Sequence, residues 1–116
     1  PRLQQYASGP LESYALVDAQ RAHRLWERSD TQVVDVRAES EWKRGHIPDA
    51  LHIHYGNLAE HAGEVPEDQR LIVHCEAGTR ANIAASLLLA NGYDDLVVFT
   101  GGFGRWKAAG YPVERA

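Results

Sequence analysis

Short apolar runs alternate with stretches of helical periodicity along this sequence, and no other feature restricts its fold as much. Runs rich in Val, Ile and Leu occur at 14–17, 32–36, 50–53, 71–74 and 96–99, each the length of a short buried strand. Strands separated by helices favour crossover connections, and therefore a parallel sheet with helices on both faces. The sequence predicts an α/β fold built on a mainly parallel, five-stranded sheet.

Helical signals fill the segments between these runs. Asp18 is a favourable N-cap for a first helix, whose predicted inward face carries Ala22, Leu25 and Trp26. The strongest helix is predicted at 81–90, with a buried stripe formed by Ile83, Ala84, Leu87 and Leu88. Shorter helices are predicted at 40–44, 58–62 and 103–109.

Length and composition bound the domain organisation and exclude several classes of partner. The 116 residues suffice for one domain, which we expect at residues 12–116, after a loose polar lead-in at 1–11. Because the sequence starts at Pro1 and contains no Met, we expect this domain to belong to a longer protein. The net charge of −4 offers no basic surface for nucleic acid, and no apolar run is long enough for a membrane span.

Cys75 is the only cysteine, so an internal disulfide is excluded and a reducing, cytoplasmic location is expected. It directly follows the predicted strand 71–74. The residues between it and the strongest helix are Glu76, Ala77, Gly78, Thr79 and Arg80.

This position after a strand is chemically informative. Ligands of parallel α/β sheets bind at the carboxyl ends of strands, where the next helix presents unpaired N–H groups. Such groups and the helix dipole favour a thiolate at Cys75, while Gly78 lets the loop curl around the sulfur. Thr79 offers a hydroxyl and Arg80 a cation for an anionic group. The loop therefore predicts a nucleophilic cysteine in an anion-binding cradle, with a buried, inert cysteine as the alternative.

Four motifs resemble those of the rhodanese-like sulfurtransferases and occur along the chain in the order typical of that family. The loop Cys75-Glu-Ala-Gly-Thr-Arg80 is similar to the active-site loop of that family. The other three are Val33-Val-Asp-Val-Arg37 with Glu41-Trp42, then Gly45-His-Ile-Pro-Asp-Ala50, and finally Gly101-Gly-Phe-Gly-Arg-Trp106 with Gly110-Tyr-Pro-Val113. The resemblance implies a doubly wound parallel sheet, Cys75 as the catalytic residue and residues 76–80 as the substrate-binding loop. It also implies Asp35 and Arg37 as supporting residues, which we expect to pair and organise the site.

The resemblance implies a sulfurtransferase. In this family the cysteine accepts a sulfane sulfur as a persulfide, Cys–S–SH, and passes it to a thiol or to cyanide, with no metal or cofactor. The expected donor is a persulfide or thiosulfate. Many thiosulfate-using members carry a basic residue where this chain has Glu76, which favours a persulfide unless Glu76 is a solvated loop residue without influence. Rhodanese-like domains often accompany metallo-β-lactamase-like domains, so the resemblance also suggests such a domain, fused or associated, as a partner.

Two other functions are weighed against sulfur transfer. One is a non-catalytic, rhodanese-like binding or regulatory module of a larger protein, although inactive relatives typically lack the cysteine. The other is a cysteine-dependent phosphatase, a class that resembles rhodaneses in fold but carries Arg six residues after the cysteine. This sequence has Ala81 at that position and Arg80 at five, so its loop is one residue smaller. The spacing favours sulfur transfer over phosphoryl transfer.

Histidines and an aspartate outside the loop have structural interpretations. His52 and His54 share one side of a predicted strand, but no third ligand stands at recognisable spacing, so no metal site is predicted. Strand alternation turns the His74 side chain away from that of Cys75, so no Cys/His catalytic pair is predicted. Asp49 stands where the family often has glycine, which we expect to alter only a turn.

Overall fold

Five parallel strands form the centre of the molecule. A computed structural model describes residues 14–76 and 79–115, and its strands are β1 (Ala15–Val17), β2 (Thr31–Asp35), β3 (Leu51–His52), β4 (Arg70–His74) and β5 (Leu96–Phe99). The strand order is β1-β5-β4-β2-β3, and each neighbouring pair is parallel. The predicted α/β fold with a parallel sheet is confirmed. Its central strand is β4, the strand that leads to Cys75.

Helices cover both faces of this sheet. They are α1 (Ala19–Trp26), α2 (Glu39–Arg44), α3 (Leu58–His61), α4 (Thr79–Ala90) and α5 (Gly102–Ala108), with 3₁₀ turns at Tyr55–Asn57 and Ala62–Glu64. Among the described residues, every helix falls short of the length and apolarity that a membrane crossing requires. The predicted lead-in at 1–11 lies outside the described residues.

Alternation along the strands divides the apolar core into two layers. Val33 and Ile72 belong to a buried cluster with side chains of α1 and α5. Their neighbours Val34 and Val73 belong to a second cluster with side chains of α3 and α4. Because β4 is buried from both sides, its carboxyl end, and with it the backbone of Cys75, is held in a fixed position.

The first helix follows the prediction closely. The Asp18 carboxylate accepts the backbone N–H of Arg21 at 2.9 Å and so caps the N-terminus of α1. Ala22 and Leu25 are buried and Trp26 is half-buried. The predicted inward face is therefore confirmed.

Helix α4 differs from the prediction in its start and in its buried face. It begins at Thr79, so Thr79 and Arg80 form its first turn instead of ending a loop. Its buried residues are Ala81, Ala84, Ala85 and Leu88, whereas Ile83 is 50% exposed. The predicted stripe was wrong at Ile83, because small alanines at i, i+3 and i+4 let the helix approach the sheet closely, and choosing the larger apolar residues rotated the predicted face.

Candidate active site

Two contacts hold the Cys75 backbone at the carboxyl end of β4, one from α5 and one from the preceding residue. Its carbonyl oxygen accepts the backbone N–H of Phe103 at 2.9 Å and lies 3.1 Å from Nδ1 of His74. The residue is 1% exposed, and α4 begins four residues later, at Thr79. Of the predicted loop, Ala77 and Gly78 lie outside the described residues.

Gly102 presses the start of α5 against the cysteine backbone. A Cβ atom at this position would lie 2.3 Å from the carbonyl oxygen of Glu76 and 2.4 Å from that of Cys75. Its φ of +64° is also in the left-handed region, which glycine adopts without strain. Only glycine satisfies both conditions, so this residue sets how closely α5 approaches the site.

Asp35 and Arg37 form a buried ion pair beside the cysteine. Nη2 of Arg37 lies 2.8 Å from Oδ2 of Asp35, and Nε lies 3.0 and 3.1 Å from the two carboxylate oxygens. Nη2 also donates to the carbonyl oxygen of Gly45 at 2.7 Å, and the guanidinium carbon stands 4.4 Å from the ring centre of Phe103. Both partners are at most 2% exposed. The expected pairing is therefore observed, and the pair ties the end of β2 to the start of α5.

Burial acts against the charge of Asp35, but its neighbours prevail. Burial alone would raise its pKa, yet the hydrogen bonds and charge of Arg37, joined by the charge of His74 where that ring is protonated, hold the pKa below its usual value. Asp35 is therefore ionised at neutral pH.

Glu76, for which the sequence leaves open either an influence on donor choice or a solvated loop position without influence, lies against a cation. Oε1 of Glu76 is 3.4 Å from Nη1 of Arg37, and its side chain is 47% exposed. Arg37 thus faces two carboxylates, those of Asp35 and Glu76. This ion pair weakens the repulsion that an isolated Glu76 carboxylate would exert on an anionic sulfur donor.

Arg80 is anchored by Glu41 of α2. Its two terminal nitrogens lie 2.6 and 3.0 Å from the two oxygens of Glu41, a bidentate pair. The hydrogen bond from Arg80 is the main reason that the pKa of Glu41 falls to about 2, and the Ala38 backbone N–H also donates to this carboxylate at 2.9 Å. The pKa of Arg80 is raised, chiefly by the hydrogen bond and the charge of Glu41, with smaller contributions from its proximity to Cys75 and Glu76. Arg80, the cation predicted from the sequence, is therefore close enough to Cys75 to act on a charge at the sulfur, and Glu41 fixes the orientation of its guanidinium group.

His74 contacts the cysteine through the main chain. Its side chain is fully buried, with Nδ1 directed at the carbonyl oxygen of Cys75. Nε2 lies 3.6 Å from Oδ2 of Asp35, beyond hydrogen-bond distance, and has no hydrogen-bond partner among residues 14–76 and 79–115. Burial is the largest cause that lowers the pKa of His74, so the ring is neutral at neutral pH.

The histidines of the β3 region make contacts that account for them structurally. Nε2 of His52 is 2.8 Å from the carbonyl oxygen of Arg37, and His54 accepts the backbone N–H of Gly56 at 3.1 Å. Trp42 stacks on His46 with 3.5 Å between ring centres. Within residues 14–76 and 79–115, no three His, Cys, Asp or Glu side chains converge as a metal site requires.

Comparison with known proteins identifies the family. The sequence profile of the rhodanese-like domain family matches residues 18–109. The chain belongs to this family. The predicted resemblance is therefore confirmed.

Relatives of this rhodanese-like domain carry sulfurtransferase names. Thiosulfate sulfurtransferase GlpE of Shewanella oneidensis is 30% identical over 99 residues, which cover 85% of this chain and 98% of the relative. A sulfurtransferase of Allochromatium vinosum is 30% identical over 92 residues, 79% of this chain and 86% of the relative. The crystal structure of a rhodanese-related protein from Thermoplasma volcanium superposes with a TM-score of 0.79 at 28% identity, covering 87% of this chain and 98% of that one.

Two residues of the site escaped sequence reasoning. Glu41 appears in the sequence analysis only as part of a motif. It lies three residues after Ala38, at the N3 position of a helix, where a glutamate side chain often accepts the backbone N–H of the N-cap residue. Gly102 likewise appears in the sequence only within a motif, and its contacts with the backbone of Cys75 and Glu76 join residues 27 and 26 positions apart. No local signal reports such a contact.

Proposed function

We propose that this rhodanese-like domain is a sulfurtransferase that carries sulfane sulfur on Cys75. The observation that supports this most is the placement of the only cysteine at the carboxyl end of the central strand, with the Glu41-anchored Arg80 in the first turn of the following helix. The helix dipole and Arg80 both favour negative charge at that point. A thiolate there is the species that attacks sulfur.

The transfer consists of two displacement steps that balance without an external oxidant. First, the Cys75 thiolate attacks the outer sulfur of a donor R–S–SH, the S–S bond of the donor breaks, and R–S⁻ leaves with the electron pair. This gives Cys75–S–SH. An acceptor thiolate then attacks the outer sulfur of the persulfide, which regenerates the Cys75 thiolate and yields the acceptor persulfide. Since the sulfane sulfur keeps its oxidation level when it is transferred from one thiol to the next, neither step requires a metal or a redox cofactor.

The surrounding residues have distinct parts in this proposal. Arg80 offsets the negative charge of the thiolate and of the persulfide. Asp35 and Arg37 position the loop, because they join the end of β2 to α5 beside the cysteine. Burial of Cys75 limits contact of the sulfur with water and with unrelated thiols.

Intact-mass spectrometry tests the first step. After incubation with a sulfane-sulfur donor and removal of the excess, we expect the protein to gain the mass of a sulfur atom, and to lose it again on addition of an acceptor thiol. Cys75→Ser should gain nothing, while its circular dichroism spectrum stays that of the wild type. A wild-type protein whose mass is unchanged by both thiosulfate and a low-molecular-weight persulfide would refute the proposal.

A further inference from the structure

A wide groove with a basic rim opens beside the cysteine loop. Its volume is about 880 Å³, and Glu76, the residue after Cys75, forms part of its lining. The walls come from the end of α2, from α5 and from the C-terminal segment. The basic residues that line it are Arg37, Arg44, Lys107 and Arg115.

Three of these four cations have no ion-pair partner among the described residues. Arg37 is matched by Asp35 and Glu76, and Glu41, the other carboxylate of the lining, is matched by Arg80. In contrast, no carboxylate of the described residues lies within 4 Å of the side-chain nitrogens of Arg44, Lys107 or Arg115. A chain with a net charge of −4 thus concentrates unpaired positive charge at the mouth of its candidate active site.

Backbone contacts hold the rim in place. His46 and Glu114 exchange two backbone hydrogen bonds of 2.8 Å, which fasten the C-terminal segment to the residues after α2. Nε of Arg115 donates to the carbonyl oxygen of Arg44 at 3.1 Å. The terminal nitrogens of Arg115 have no partner in the described part of the chain, so they are available to an anion.

We propose that this groove binds the carboxylates of a low-molecular-weight thiol, or of its persulfide, that serves as the sulfur donor or acceptor for Cys75. Three cations around one mouth match a ligand with more than one carboxylate. The volume is in the range of pockets that bury a ligand of several tens of atoms, which is far more than a small inorganic anion occupies. The ligand class is therefore a peptide-sized, polyanionic thiol. This inference deepens the proposed sulfur transfer and rests on it.

The first test compares acceptors of different charge. Glutathione carries two carboxylates, β-mercaptoethanol is neutral and cysteamine is a cation. In Arg44→Gln/Lys107→Gln, we expect the KM for glutathione to rise about three- to tenfold, because each exposed ion pair contributes modestly to affinity. The KM for β-mercaptoethanol should stay within about twofold, and that for cysteamine should not rise. Arg21→Gln is the matched control, since Arg21 is an exposed cation of α1 outside the groove.

A binding measurement separates this proposal from the proposed function. S-methylglutathione keeps both carboxylates but cannot accept sulfur, so calorimetry or NMR titration reports its binding whether or not catalysis occurs. We expect the double variant to bind it about three- to tenfold more weakly than the wild type and Arg21→Gln do. If the double variant and wild type bind it equally, or if the KM values for glutathione and β-mercaptoethanol change in parallel, the groove proposal is wrong. A protein that binds S-methylglutathione as expected but never acquires sulfur on Cys75 would refute the proposed function alone.

Discussion

Gly102→Ala should displace the backbone of Cys75 while leaving the cysteine residue itself unchanged. The new Cβ would lie 2.3 and 2.4 Å from the carbonyl oxygens of Glu76 and Cys75, whereas ordinary van der Waals contact begins at 3.4 Å. One side of this contact must therefore move by about 1 Å. Because both atoms it meets belong to the backbone, no side-chain rotation relieves the clash.

The expected loss of stability has two causes. A non-glycine residue at φ +64° costs about 1–2 kcal/mol, and the displaced contact, including the Phe103 to Cys75 hydrogen bond, costs about 1–3 kcal/mol more. A domain of ordinary stability survives this loss. Since a displacement of about 1 Å at reacting groups lowers rates about 100-fold, we expect sulfur transfer to fall by roughly that factor.

Gly110→Ala provides the matched control. Gly110 also has a positive φ, of +84°, but a Cβ there meets nothing within 4 Å. This variant should lose only the backbone strain, about 1–2 kcal/mol, and keep its activity. Urea denaturation and single-turnover transfer of sulfur from Cys75 measure the two effects. Equal losses of stability and activity in the two variants would refute the argument that Gly102 positions the site.

Two further predictions concern the charged groups around the cysteine. Glu41→Gln should lower the free energy of unfolding by about 1–2 kcal/mol and slow sulfur transfer, because Arg80 loses its anchor. The control Glu39→Gln removes an exposed ion pair with Lys43 and should change the free energy of unfolding by no more than about 0.5 kcal/mol and the transfer rate by no more than about twofold. Similar effects in both variants would contradict the role given to Arg80. His74 has a lowered pKa in the folded protein, so below its unfolded pKa of about 6.5 the unfolded chain binds a proton that the folded protein does not. The free energy of unfolding should therefore decrease as the pH falls, by up to about 1.4 kcal/mol for each pH unit. Denaturation at several pH values should show a shallower decrease for His74→Gln, and parallel profiles for this variant and the wild type would refute the assignment.

The sheet and most helix positions were accessible from the sequence because they depend on local patterns. The runs at 32–36, 71–74 and 96–99 are rich in Val, Ile and Leu, and each coincides with a strand of the observed sheet to within one residue at either end. The N-cap of α1 was found for the same reason, since Asp18 and the N–H that it accepts are three residues apart. The buried face of α4 was not, because close packing of alanines on the sheet is a tertiary property.

The contacts that shape the candidate site are tertiary contacts between residues far apart in the sequence. Arg80 and Glu41 are 39 residues apart, as are Arg37 and Glu76. Each of these residues has several charged residues as possible partners in the sequence, and only the strand order decides which ones meet. The resemblance to rhodaneses indicated the loop and the supporting pair, but the partner of Arg80 and the contact of Gly102 depend on the three-dimensional structure.

Parallel strand order is what converts these separate motifs into one site. Asp35 ends β2, His74 ends β4, and the two are aligned in register, so the segments that follow them emerge at the same edge of the sheet. Asp35 reaches Arg37 and comes near His74, and both of these contact the segments beside Cys75. Without Arg37, the carboxylates of Asp35 and Glu76 would lose the cation that both contact, and under the proposed sulfur transfer their charges would oppose a thiolate at Cys75. On that proposal the buried pair contributes to reactivity by cancelling unfavourable charge as well as by fixing geometry, while Arg80, held by Glu41 of α2, supplies attraction. The proposed chemistry would then depend on the balance of these charges, which the order of the strands brings together at one edge of the sheet.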